Sequence, residues 1–111
     1  MSVFQKIIDG EIPVEFLHED ESCVAFYDQN PQAPIHVLVV PRKPIKMLED
    51  ADLEDEALLG RLMLVANKVA KQLSLDTGYR VVINNGPDAC QSVYHLHVHL
   101  LGGRGFSWPP G

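Results

Sequence analysis

The stretch His95-Leu-His-Val-His-Leu-Leu101 alternates histidine with apolar residues and holds three of the five histidines in the chain. Side chains of a β-strand point alternately to its two faces. The segment therefore predicts a strand whose histidines lie together on one side and whose leucine and valine residues join a core on the other. The strand would have an apolar face and a histidine face, and the rest of the domain has to bury the apolar face.

The other periodic segments predict a single α+β domain over residues 1–111. Residues 3–9 indicate a short N-terminal helix, and the long periodic segment between Asp52 and Gly78 indicates the main helix. The remaining strands are predicted as two within 14–28 around an acidic turn, one at 36–41 and one at 79–84. The order β-β-β-α-β-β predicts an antiparallel five-stranded sheet with one long helix across it.

The main helix carries two adjacent apolar rows. They are Leu58-Leu62-Val65-Val69-Leu73 and Leu59-Met63-Ala66-Ala70. One sheet can bury only one such row well, and an exposed row of this length is an interaction surface. We therefore expect a homodimer, because two-fold pairing is the commonest way to bury a self-complementary patch.

Composition narrows the class of protein. The formal net charge of −6 over 111 residues argues against a nucleic-acid binder, which needs a basic face, but permits a single small phosphate ligand. There is no apolar run of about 20 residues and no signal-peptide pattern, so we expect no membrane span. Two cysteines, Cys23 and Cys90, do not form a disulfide framework and are typical of a cytoplasmic protein.

Three interpretations of the histidine run are open. His95 and His99 would lie about 13 Å apart along a straight strand, so a metal site would need outside ligands such as His36 and Asp28. A purely structural buried face would need many hydrogen-bond partners for three imidazoles. In the third interpretation a neutral imidazole attacks phosphorus, and the resulting phospho-imidazole is then hydrolysed by water.

The chain resembles the histidine triad (HIT) superfamily, whose signature is His-φ-His-φ-His-φ-φ with φ apolar. Residues 95–101 fit that signature at every position. The segments "YDQNPQAPIHVLVVP", "GYRVVIN" and "QSVYH" and the ending "GGR…WPPG" look like the Hint branch, the histidine triad nucleotide-binding proteins. The resemblance covers nearly the whole chain and implies a HIT-like fold whose sheet extends across a homodimer.

The resemblance also implies roles for single residues. His97 would be the nucleophile, and His99 would contact the phosphate and the departing group. The backbone carbonyl of His95 would orient the ring of His97, and His36 would complete a hydrogen-bond relay with His95. Asp28 would bind the ribose hydroxyls, which suits a carboxylate because it can accept from two adjacent hydroxyls.

Further positions follow from the same resemblance. Asn84 and Ser92 would lie beside the phosphate, and Trp108 in the tail would reach toward the partner's active site. Cys90 stands where the family usually has glycine, which raises the question of whether the backbone there has a positive φ. The apolar slot for the purine would be formed by Val3, Phe4, Ile7, Phe26 and Leu38.

The implied activity is hydrolysis of the P–N bond of nucleoside 5′-phosphoramidates, with no metal and no cofactor. His99 favours hydrolysis because the related nucleotidylyltransferases carry glutamine at that position. The absence of a G-x-x-x-x-G-K-[ST] motif excludes a P-loop nucleotidase. The alternatives are a dinucleoside polyphosphate hydrolase and a nucleotide-binding interaction protein with incidental hydrolysis.

Overall fold

The computed structural model describes residues 2–111, and it has the predicted α+β architecture. In chain order its elements are α1 (Val3–Ile8), β1 (His18–Glu19), β2 (Cys23–Tyr27), β3 (Ile35–Pro41), α2 (Glu56–Gln72), β4 (Arg80–Val82) and β5 (Val98–Gly102). The strands form one antiparallel sheet in the order β1-β2-β3-β5-β4. Within residues 2–111 no helix is long and apolar enough to cross a membrane.

The two faces of the sheet have different tasks. One face carries the main core, in which side chains of β2, β3 and β5 such as Val39, Val98 and Leu100 pack against α2. The other face carries Phe26 and Leu38, which α1 covers with its own apolar side chains. The site described below lies on this second face, so the long helix supports the sheet from behind without touching the site.

The long helix begins one short turn later than the sequence predicts. Asp52 does cap a helix, because its carboxylate accepts a hydrogen bond from the backbone N–H of Glu54, but the element it caps is the 3-10 turn Leu53–Asp55. Asp55 returns the contact by accepting from the N–H of Asp52. The reciprocal pair satisfies the N–H groups of Asp52 and Glu54 at the start of the 3-10 turn that leads into α2.

The second apolar row of α2 is less exposed than predicted. Ala66 and Ala70 are buried in the core of their own subunit, next to the first row. Small side chains at these two positions let α2 lie close to its own sheet, and so they do not provide the approach for a second helix. Met63 remains 37 % exposed, and Leu59 is partly buried.

The last two strands are shorter than predicted. β5 begins at Val98, so His95 and His97 both lie before the strand, and β4 ends at Val82, opposite His99. Pairing of β5 with β3 ends at Val98 opposite Val39, although β3 continues to Pro41. The segment that precedes β5 has another partner, since the N–H of Leu96 donates to the carbonyl of Ile45 at 2.7 Å.

Candidate active site

A cavity of about 510 Å³ lies between α1, the loop from β2 to β3 and the segment that precedes β5. It brings together ten of the residues that the sequence singled out, although they come from five separate parts of the chain. They are Val3, Phe4, Ile7, Phe26, Asp28, His36, Leu38, Ser92, His97 and His99. The apolar members occupy the α1 side, and the histidines lie at the end of the sheet where β3 and β5 pair.

His97 is oriented as a nucleophile. Its Nδ1–H donates to the backbone carbonyl of His95 at 2.7 Å, which leaves the lone pair of Nε2 free. The ring is buried and lies against the ring of Phe4, with 4.9 Å between the two centroids. Burial lowers the pKa of His97, an effect opposed mainly by the hydrogen bond to the His95 carbonyl. The imidazole is therefore neutral at pH 7.

His99 is oriented as a hydrogen-bond donor by a chain of two contacts. The backbone N–H of Gln32 donates to Nδ1 of His36 at 3.0 Å, so the proton of a neutral His36 is on Nε2. That Nε2–H donates to Nδ1 of His99 at 2.8 Å, so the proton of His99 is in turn on its own Nε2. This Nε2 is buried and has no hydrogen-bond partner within residues 2–111. An anionic oxygen or a leaving nitrogen in the cavity would supply the missing acceptor.

The relay differs from the predicted one. His36 contacts His99 and not His95, because His36 and His99 lie on paired strands, where His36 is opposite Leu101 and His99 is opposite Leu38. His95 does not line the cavity. Its Nε2–H donates to the carbonyl of Pro41 at 2.8 Å, and its Nδ1 lies 3.4 Å from the hydroxyl of Ser2. His95 precedes β5, which begins at Val98, so the alternation of side chains along a strand does not determine where its ring points.

The electrostatics keep the histidines of the cavity uncharged. Burial, reinforced by the neighbouring His97 and His36, lowers the pKa of His99 to about 4. Burial also lowers the pKa of His36, and the carboxylate of Asp28 opposes that shift. An uncharged pair beside a free lone pair suits nucleophilic attack, because a protonated imidazole cannot attack.

Asp28 is held at the end of β2 by the loop that follows it. One carboxylate oxygen accepts from the N–H of Asn30 at 2.8 Å, and the other lies 3.4 Å from Nε2 of His36. The side chain lines the cavity and keeps 22 % of its surface exposed. It therefore has free acceptor positions for the hydroxyl groups of a ligand.

Besides His95, two predicted residues lie outside the cavity, and Cys90 has an unusual backbone. Asn84 is half-buried and does not line the cavity, and Trp108 is 83 % exposed in the tail. Cys90 lines the cavity and has φ +68° and ψ +32°, in the left-handed region. The positive φ explains why glycine would suit this position.

Several residues of the cavity were not predicted. They are Ile12, Tyr27, Gln29, Asn30, Gln32 and Val93. Tyr27 ends β2 just before Asp28, and Gln29, Asn30 and Gln32 follow it in the loop, so their nearness to Asp28 in the chain was the available signal. The contribution of Gln32 comes from its backbone N–H, which no side-chain pattern can reveal.

The structure also tests the metal interpretation. The atoms of Asp28, His36 and His99 that could ligate a metal lie within 4.8 Å of one another. Ligation through Nε2 of His36 would need that nitrogen unprotonated and the proton on Nδ1, where it would face the N–H of Gln32. The hydrogen bonds therefore oppose a metal at this point. A second group, His18, Asp20 and Cys23, lies outside the cavity, and Arg61 already pairs with its carboxylate.

Comparison with known proteins gives one consistent answer. The model of the HIT domain family matches residues 9–106. The chain is 54 % identical over 110 residues to an uncharacterised HIT-like protein of Synechocystis, a match that covers 99 % of this chain and 96 % of that protein. It is also 54 % identical over 112 residues to a maize protein named "14 kDa zinc-binding protein", a match that covers 99 % of this chain and 88 % of that protein.

Solved structures agree with the sequence relatives. A HIT family hydrolase from Legionella pneumophila superposes with a TM-score of 0.96, at 44 % identity and with both chains covered completely. A histidine triad nucleotide-binding protein from Candida albicans superposes with a TM-score of 0.84 at 35 % identity, over 98 % of this chain and 83 % of that one. The fold and the site thus define a HIT-type domain. The chain belongs to the HIT domain family.

Proposed function

We propose that the protein is a purine nucleoside phosphoramidase of the Hint type, which hydrolyses the P–N bond of nucleoside 5′-phosphoramidates through a nucleotide bound covalently to His97. The observation that carries the proposal is the pairing of His97 with His99. Their rings lie 4.9 Å apart between centroids, one with a free lone pair and the other with a free N–H. A phosphoryl group between them would meet a nucleophile and a donor at once.

The reaction has two displacements. In the first, the lone pair of His97 Nε2 forms a bond to the α-phosphorus while the P–N bond breaks. The nitrogen departs as an amine after taking one proton from solvent, and the Nε2–H of His99 stabilises the charge that develops at the phosphoryl group. In the second, water attacks the phospho-imidazole, which releases the mononucleotide and one proton and restores neutral His97.

The lining of the cavity favours a single phosphoryl group. No lysine or arginine belongs to the lining within the described part of the chain. A polyphosphate would bring several negative charges into a cavity that already contains Asp28, without a cation to offset them. We therefore rank a dinucleoside polyphosphate hydrolase below a phosphoramidase. The apolar residues around Phe4 and Phe26 support a purine, whose flat ring suits an aromatic slot.

Rapid quench of the wild type with adenosine phosphoramidate, followed by mass spectrometry, tests the proposal. We expect a nucleotide adduct on His97. The variant His97→Ala should lose turnover by a factor of at least about 10³, because it lacks the nucleophile, while AMP still binds to Asp28 and the apolar slot. An adduct on His99 or Cys90 would overturn the assignment. Tight AMP binding with no detectable single turnover would favour the binding protein with incidental hydrolysis.

Metal removal provides an independent test. The name of the maize relative raises zinc as a ligand, but the proton positions at His36 and His99 support a reaction without it. Exhaustive chelation should leave the phosphoramidase rate unchanged. A loss of activity that zinc alone restores would contradict the metal-free mechanism and would revive the group Asp28, His36 and His99 as a metal site.

We also propose that the protein acts as a homodimer in a reducing, cytoplasmic environment. Strand β4 stands at one end of the sheet order. The exposed side chains of Val81 in β4 and of Tyr79 just before it lie on the same side of the molecule as Met63, since the hydroxyl of Tyr79 donates to Asn67 of α2. Pairing of two β4 strands would extend the sheet.

Both cysteines are free, which supports the reducing compartment. Deletion from Trp108 onward should change the selectivity for the leaving amine if the tail reaches a partner's site.

A further inference from the structure

The donor on His99 depends on a backbone amide in the loop from β2 to β3. The N–H of Gln32 keeps Nδ1 of His36 unprotonated. Without that contact His36 could carry its proton on Nδ1, its Nε2 would become an acceptor, and the proton of His99 would move to Nδ1. Nε2 of His99 would then present a lone pair to the phosphoryl group, where a donor is needed. The contacts that fix the backbone of Gln32 therefore determine which ring nitrogen of His99 carries the proton.

The segment that follows β5 holds this loop. Nη2 of Arg104 donates to the carbonyl of Gln32 at 3.1 Å. A Cβ on Gly103, whose φ is +86°, would lie only 2.9 Å from Cβ of Pro34, so glycine lets the loop pack directly on the segment. The bonds to the N–H and the carbonyl of Gln32 lie on opposite sides of its Cα, and together they fix both of its peptide planes.

Arg104 is itself held by an aromatic ring. Its guanidinium carbon lies 4.3 Å from the centroid of Phe106, and that of Arg80 lies 4.9 Å from the same ring. Arg80 anchors the tail from the β4 side by donating to the carbonyl of Ser107 at 2.8 Å. An exposed arginine usually has many rotamers, and stacking on the ring reduces the entropy lost when Arg104 holds Gln32.

We propose that Arg104 is a positioning residue of the active site. Its hydrogen bond to the carbonyl of Gln32 keeps the N–H of Gln32 on His36 and thereby keeps the proton of His99 on Nε2. Arg104 does not line the cavity, so its effect reaches the substrate only through Gln32, His36 and His99. The kinetic consequence rests on the proposed function, whereas the proton positions can be measured without it.

Nitrogen-15 NMR of the imidazole rings, combined with phosphoramidase kinetics, tests the proposal. In the wild type at pH 7 His99 should have a protonated Nε2 and an unprotonated Nδ1. In Arg104→Ala, His99 should exchange between the form protonated on Nε2 and the form protonated on Nδ1. The kcat should fall about tenfold, with KM changed by less than about threefold. The complete loss of a positioned donor costs a factor of about 10² or more, and this variant loses it only in part. Arg104→Lys, which can still donate to the carbonyl, should recover most of kcat.

Arg80→Ala is the matched control. It removes the other arginine on Phe106 and leaves the bond between Arg104 and Gln32, so the proton of His99 and kcat should stay close to the wild type. An unchanged His99 ring in Arg104→Ala would overturn the proposal, and so would an equal loss of kcat in Arg80→Ala. If the wild type has no phosphoramidase activity but the His99 proton shifts in Arg104→Ala alone, the proposed function fails and the role of Arg104 stands.

Discussion

The chemistry of the site rests on the proton positions of three imidazoles, each set by a different partner. A backbone carbonyl holds the proton of His97, a backbone N–H excludes the proton from one nitrogen of His36, and His36 does the same for His99. Each partner belongs to the main chain or to a ring on a neighbouring strand. In the proposed reaction, the lone pair of His97 and the N–H of His99 would be in place before a substrate binds, which would reduce the reorganisation that the reaction needs.

Burial of these imidazoles makes the stability of the fold depend on pH in a defined direction. Burial, with the neighbouring His97 and His36, lowers the pKa of His99 from 6.5 to about 4 in the folded state. Between pH 6.5 and 4 the unfolded chain binds more protons than the folded one, so the free energy of unfolding falls as the pH falls through this window. Urea titrations at pH 7 and pH 5 should show the loss, and His99→Asn should reduce it. Equal stability at the two pH values would contradict the buried neutral state.

Cys90 provides a second prediction at the scale of a residue. A side chain in the left-handed region costs about 1–2 kcal/mol, whereas glycine there costs about 0.4–1 kcal/mol through the entropy of the unfolded chain. Cys90→Gly should therefore raise the free energy of unfolding by about 0.5 kcal/mol, and Cys90→Val should lower it, since branching at Cβ makes a positive φ worse. Cys90→Ala, which keeps the strain, is the control and should match the wild type. A destabilised Cys90→Gly would show that the thiol makes a favourable contact.

At the scale of the elements, the turn between β1 and β2 is tied to the long helix by one carboxylate. One oxygen of Asp20 accepts from the N–H groups of Ser22 and Cys23, at 2.7 and 2.9 Å. The other accepts from His18 at 2.7 Å and from Nη2 of Arg61, on α2, at 2.8 Å. Burial acts to raise the pKa of Asp20, but the hydrogen bonds outweigh it and hold the pKa well below 3.8.

Substitution of Asp20 should loosen the edge of the sheet. Asp20→Ala leaves two turn N–H groups without acceptors and should lower the free energy of unfolding by about 2 kcal/mol at pH 7. Because the folded pKa is depressed, this contribution is present above pH 3.8 and is lost as the pH falls toward the folded value. Arg61→Ala, which removes only a half-exposed partner, should cost less than about 1 kcal/mol. If urea titrations show that Asp20→Ala and Arg61→Ala lose the same free energy of unfolding, the stabilisation comes from the ion pair and not from the hydrogen bonds of the turn.

At the scale of the whole molecule, β4 forms one edge of the described sheet. An edge strand presents unpaired backbone groups, and natural proteins protect such edges or pair them. Three large side chains near this edge are each a little over one-third exposed: Met63, Tyr79 and Val81. A cluster of exposed apolar side chains is uncommon on a monomer and indicates an interaction surface. These features support the homodimer proposed above, and we propose α2 and β4 as its interface.

A charge at this edge should separate the subunits. Met63→Glu would have to bury a carboxylate without a partner in the interface, so light scattering should show a shift of the molecular mass from dimer to monomer. Leu64→Glu is the matched control, because Leu64 is the next residue of α2 and is already 67 % exposed. Its assembly should resemble the wild type. A monomeric wild type that is fully active would refute the interface, and an equal effect of both variants would indicate another surface of α2.

The class of the fold and the order of its elements could be predicted from the sequence, which also singled out candidate site residues. Helical spacing in α2, β-branched runs in β3 and alternation in β5 are local patterns, so they can be read along the chain. Phe4, Asp28, Ser92, His97 and His99 were found in one cavity as expected. The family resemblance pointed to these residues because their chemical types stand at matching positions.

The partner that each side chain meets could not be predicted from the sequence. The pairing of β3 with β5 ends at Val39 and Val98, His95 donates to the carbonyl of Pro41 outside the cavity, and strand register places His36 against His99. Ala66 and Ala70 proved to belong to the core, because the distance between helix and sheet, and not the apolar pattern, determines what a small residue covers. The N–H of Gln32 and the positive φ of Cys90 are properties of the backbone path. Such contacts join residues far apart in the chain, and their geometry is set only when the whole sheet has formed.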